Sequence, residues 1–102
     1  MFSDIDFLSG NVKWVYDTLE EDMIQVEYPN NYVLNGGWNE SQKTYDIFIF
    51  RDYESIPVVK YVATNISNAR TLLMHAVMRI EEESKKSKPY YGGLWKTETI
   101  EL

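Results

Sequence analysis

Few side chains in this sequence are of types that do chemistry, and each can be asked for the company its chemistry needs. The only histidine, His75, sits in TLLMHAVMRI. A histidine acts as a general base or a metal ligand only with partners. The chain has no second histidine and no cysteine to complete a zinc shell. On a helix, the neighbours of His75 one turn away are Thr71, Met78 and Arg79, none of them a carboxylate that could orient the ring. A carboxylate from elsewhere in the fold is left open. Glu81, Glu82 and Glu83 are consecutive and fan around a helix instead of converging on one atom. Asp52 and Glu54 flank Tyr53 in a turn, where polar residues are ordinary. Asp4 and Asp6 lack the glycine and downstream glutamate of a calcium loop. The glycine pairs of NGGW and YYGGLW lack the lysine and hydroxyl ending of a phosphate loop and no helix follows either, so both read as turns. No catalytic, metal-binding or cofactor-binding residue is assigned, and no cofactor is expected.

The elements that would position these residues follow from periodicity. Val12, Val15, Tyr16, Leu19 and Met23 recur at three- and four-residue spacing, which predicts a helix from Ser9 or Asn11 to about Met23. The acidic Glu20-Glu21-Asp22 end is unfavourable at the negative pole of that helix. IQVEY alternates as a half-buried strand and stops at Pro29-Asn30-Asn31. The next stretch reads as one strand from about Tyr32 to Trp38, bulged at the glycines, with a turn at Glu40–Lys43. TYDIFIFRD is apolar on both parities: Tyr45, Ile47 and Ile49 on one, Phe48 and Phe50 on the other. It therefore reads as a central strand covered on both sides. IPVVKYVAT makes a further antiparallel strand. A longer helix, N-capped at Ser67 with Ile66 as staple, presents Ala69, Leu72, Leu73, Ala76, Val77 and Ile80 as one stripe. Lys85, Lys86 and Lys88 close it, Pro89 stops it, and LWKTETIEL forms a last strand or extended arm.

The expected fold is an α+β two-layer sandwich. An antiparallel sheet of three to four strands would carry an N-terminal helix and a longer C-terminal helix, with a C-terminal extended arm, in one domain spanning residues 1–102. The helix–strands–helix order resembles the double-stranded RNA-binding fold in topology only. Ser67-Asn68-Ala69-Arg70 offers one basic residue where that fold reads phosphates, so no binding residue is carried over.

The net charge of −6 argues against direct nucleic-acid binding, which gains affinity by neutralising phosphates. It suits a basic partner, mimicry of a nucleic acid, or simply solubility. No apolar run is long enough for a membrane helix, and the N-terminus carries acid where a secretory signal carries positive charge. With cysteine absent, a cytoplasmic chain is expected.

The remaining signal is surface chemistry suited to contact. Eight tyrosines and three tryptophans are many for 102 residues. On the second helix Met74 and Met78 lie off the core stripe. They predict something apolar against the back of that helix: the C-terminal arm through Leu94, Trp95 or Ile100, or a partner. Met74, Met78, Trp14, Trp95 and Tyr53 are the candidate interface residues. The leading expectation is a small non-catalytic protein-interaction module that binds another protein or itself as a homodimer. A more specific version is an inhibitor or accessory protein from a phage or mobile element. The alternative is a small-molecule or nucleotide-binding domain with a tyrosine-lined pocket between sheet and helix.

Overall fold

A computed structural model describes residues 1–86 and 96–102. It contains β1 (Asn11–Val15), β2 (Ile24–Tyr28), one 3-10 turn (Pro29–Asn31), β3 (Tyr32–Asn39), β4 (Thr44–Arg51), β5 (Val59–Ala63), α1 (Ile66–Ser84) and β6 (Glu98–Glu101). The six strands form one sheet in the order β1-β2-β3-β4-β5-β6. The first five are an antiparallel meander, whereas β6 pairs parallel with β5. A parallel neighbour needs a crossover, and α1 supplies it.

The expected N-terminal helix is therefore corrected to an edge strand and a loop, and the antiparallel sheet of three to four strands to a mixed sheet of six with a single α-helix among the described residues. The likeness to a helix–strands–helix topology lapses with that first helix. Its helical spacing has a specific origin. The pairing of β1 with β2 shifts between Val12 and Trp14, so Val12 faces Val26 and Val15 faces Ile24. A bulge in a strand thus puts residues three apart on one face, which mimics a helical turn. Beyond Val15 the chain leaves the sheet, Tyr16 and Leu19 are exposed, and Met23 is fully buried. Valines and aromatics also lose side-chain freedom in a helix and suit a strand.

Alternation decides the core. Ile24, Val26, Tyr28, Tyr32, Leu34, Ile47, Ile49, Val59, Tyr61 and Ala63 are buried on one face of the sheet. Against them α1 packs its stripe of Ala69, Leu72, Leu73, Ala76, Val77 and Ile80. Burying each such aliphatic side chain is worth about 1.5–3 kcal/mol, which makes this layer the main source of stability. The helix starts two residues earlier than the Ser67 cap implies: Asn65 is the N-cap, its side chain accepting from the Asn68 N–H at 2.8 Å. Ile66, expected as a staple, is exposed.

The N-terminal segment closes one end of the core with Phe2 and Phe7 and then runs along α1. Arg70 grips Asp4 in a two-point ion pair at 2.8 and 2.9 Å, and Glu81 accepts from the Ser9 N–H at 3.1 Å. The Tyr28 hydroxyl donates to the Phe7 carbonyl at 2.7 Å; burial raises the pKa of that phenol. β3 is one strand, as expected, but continuous: it pairs with β4 without interruption from Tyr32 to Asn39. Its glycines serve close approach instead of a bulge. A Cβ on Gly37 would meet the Glu21 carbonyl oxygen at 1.8 Å, because the β1–β2 loop crosses the strand there. That crossing is held by the Trp38 N–H to Glu20 carbonyl bond of 2.7 Å and the Met23 N–H to Gly36 carbonyl bond of 2.9 Å.

Candidate functional site

The face of the sheet opposite α1 is where the structure departs most from the expectation for TYDIFIFRD. β4 is central, but among the described residues no helix or strand lies over its second face. Across the strands, one row on that face reads Trp14, Gln25, Asn35, Phe48, Lys60 and the next reads Glu27, Val33, Phe50. Phe48 and Phe50 lie ring to ring with centroids 5.8 Å apart, both partly exposed. The Lys60 ammonium sits 5.8 Å from the Phe48 ring centroid, in range for a cation–π contact. Towards β1 the face turns polar: the Trp14 Nε1–H and Asn35 Nδ2 each donate to Asp22 Oδ1 at 3.3 Å, and Asn35 also donates to Gln25 at 2.8 Å. These bonds fix the Asn35 amide beside Phe48 and the Trp14 indole at the β1 side of the face.

Phe48 also edges a depression of about 530 Å³ under the β1–β2 loop, walled by Leu19, Glu20, Glu21, Trp38, Asn39, Glu40 and Asp46. Asp46 is buried and accepts from Thr44 at 2.8 Å and Asn39 at 3.1 Å. Lys43 and the Trp38 indole N–H both bond Glu40, holding its carboxyl below the usual range. The walls combine apolar surface with four carboxylates, the chemistry that receives a basic side chain.

The sequence-derived candidates fall on separate surfaces. Trp14 is on β1, at the polar side of the open sheet face and about 14 Å from Phe48 at three strand spacings. Met74 and Met78 are 46% and 64% exposed on the outer side of α1. The described part of the C-terminal arm does not cover them: β6 lies at the sheet edge, with Ile100 beside Tyr61. Trp95 and Leu94 fall outside the described residues. Tyr53, 86% exposed, stands in the β4–β5 turn with a positive φ of 60°, its hydroxyl donating to Asn31 at 3.0 Å.

His75 is exposed and shares a shallow groove with Tyr61, Met78, Arg79, Glu82 and Ile100. Arg79 there is committed to Glu98 at 2.8 Å. The glutamates after it point to different partners, Glu81 to Ser9 and Lys85, Glu82 to Lys86. Among the described residues no group of three histidine, aspartate or glutamate side chains could hold a metal ion. Tyr28, Tyr32 and Tyr61, which face the helix, are buried core side chains.

Sequence reasoning misses Phe48 and Phe50 as surface residues. Their signal, an apolar second parity in β4, is present in the chain but reads equally well as the mark of a second covering layer. No helix among the described residues is long and apolar enough to cross a membrane. No family model matches this chain, and neither the curated proteins nor the solved structures contain a match to it.

Proposed function

We propose that the protein is a non-catalytic protein-interaction module whose contact surface is the sheet face opposite α1. One observation carries the reading: Phe48 and Phe50 lie together on the central strand, on a face with no layer of the described chain above it. An apolar centre with a polar rim is the common anatomy of a protein interface. The adjoining carboxylates Glu20, Glu21 and Glu40 indicate the partner's chemistry, a protein segment with basic side chains beside apolar ones.

The test is a comparative capture from the native host with the wild-type chain, Phe48→Asp and Met78→Asp as baits, each checked for cooperative unfolding. A protein held by wild type and by Met78→Asp but lost with Phe48→Asp supports this surface. Retention by Phe48→Asp of everything that wild type holds would sink it. Capture should also weaken with salt, since exposed charge pairs are screened over about 8 Å at physiological ionic strength.

A further inference from the structure

The outer side of α1 carries a pattern that the sheet face does not explain. At four-residue spacing its exposed and partly exposed side chains run Arg70, Met74, Met78, Glu82: basic, apolar, apolar, acidic. Turned end for end, this row complements itself. At 1.5 Å per residue the methionines lie about 6 Å apart along the axis and the charged pair about 18 Å apart. Both pairs are centred on Ala76, so one twofold axis serves both. We propose that α1 pairs antiparallel with α1 of a second copy about a twofold axis on its outer side, level with Ala76 along the helix but on the face away from that buried side chain. Met74 then packs on Met78 of the second copy, and Arg70 faces its Glu82, in both directions. Rows at four-residue spacing are the ridges that interlock when helices pack.

Three further features fit that occupant. A groove of about 420 Å³ beside the row has an apolar wall of Ile5, Leu8, Met74, Val77 and Met78, with Asp4, Asp6 and Arg70 at its rim, and can take an adaptable apolar side chain such as methionine. Leu8, on its wall, is 47% exposed although its φ is 55°, a backbone conformation leucine rarely adopts. Its N–H is held by Asp6 at 2.9 Å, so an apolar side chain is kept facing outward by a built turn. The Arg70 guanidinium is already oriented by Asp4 and the Met1 carbonyl, and retains N–H groups for a further acceptor.

Sedimentation and light scattering over a concentration series of the full chain should show a monomer–dimer equilibrium, with Met78→Asp raising the dimer Kd by about tenfold or more. Arg70→Glu and Glu82→Arg should each weaken self-association, and an equimolar mixture of the two should recover it, because acidic sites on one copy then meet basic sites on the other. Arg70→Glu also removes the Asp4 contact, so a second measurement is independent of charge. The chain has no cysteine, and Met74→Cys and Met78→Cys each introduce a unique thiol. When the two are mixed and oxidised, the cross-linked 74–78 species should form faster than either homodisulfide. A wild-type chain that stays monomeric through about the millimolar range, where Kd corresponds to only about −4 kcal/mol, overturns the proposal. So does a mixture in which the 74–78 species is not favoured. Neither result touches the Phe48 surface, whose variants leave α1 unchanged.

Discussion

Gly36 and Gly37 are adjacent in β3, yet replacing each by alanine should have very unequal consequences. A Cβ at Gly37 would lie 1.8 Å from the Glu21 carbonyl oxygen and 2.6 Å from its carbonyl carbon, both backbone. To restore a contact distance near 3.5 Å the β1–β2 loop must retreat by on the order of 1.5 Å. That retreat stretches the Trp38 N–H to Glu20 carbonyl bond beyond use and disturbs the Met23 N–H to Gly36 carbonyl bond. At about 1 kcal/mol for each bond, with a further penalty where a group is left unpaired, the loss is roughly 2–4 kcal/mol. Alanine regains about 0.5–1 kcal/mol of backbone entropy, leaving a net cost of roughly 1–3.5 kcal/mol. At Gly36 the nearest atom is Ile24 Cδ1 at 3.3 Å, the free end of a flexible side chain, followed by side-chain carbons at 3.6 Å. There the entropy gain offsets the crowding, and the change should stay within about 1 kcal/mol of neutral. Urea titrations of the two variants, with m-values equal to wild type, give the comparison directly. A Gly36→Ala cost equal to or above that of Gly37→Ala would refute the reasoning. The same loop walls the depression beside Phe48, so Gly37→Ala should also weaken partner capture while Gly36→Ala should not.

Three other outcomes are expected. Asp17 accepts first from the Ser3 hydroxyl and then from the Phe2 N–H, which lowers its pKa to about 2. A depressed carboxylate stabilises fully above its unfolded value of about 3.9 and loses that contribution as pH falls toward its folded value. The Phe2 and Ser3 amide signals of the folded chain should therefore move in a step centred near pH 2, and Asp17→Asn should abolish that step; a step centred near the ordinary carboxylate value of about 3.9 would count against the contact. Asn65→Ala removes the α1 cap and should cost about 1 kcal/mol in thermal or urea unfolding, whereas Ser67→Ala should cost far less. Tyr53→Asn relieves a left-handed backbone conformation at an exposed site and should raise stability by about 0.5–1 kcal/mol, less the hydroxyl bond to Asn31; a loss of stability would show that bond to be the stronger term.

Local chemistry is enough for several parts of this protein. The alternation of IQVEY and the stripe from Ala69 to Ile80 mark β2 and α1, because each pattern has only one regular backbone that gathers its apolar residues on one side, and the β-branched and aromatic run of TYDIFIFRD marks β4. The absence of cysteine can likewise be read from the chain, whereas the surroundings of His75 cannot. What local pattern cannot supply is partnership. Val12 and Val15 fit a helical turn and a bulged strand equally well, and only the presence of β2 beside them selects the strand. The tail LWKTETIEL reads as either a last strand or an extended arm, and the choice falls to the strand because α1 carries the chain back alongside β5. The second face of β4 shows the same limit from the other side: apolar residues declare that something should cover them, but not whether the cover is the chain's own layer or another protein. Tertiary structure decided that no described layer of this chain covers Phe48 and Phe50, since the one α-helix among the described residues is spent on the opposite face of the sheet.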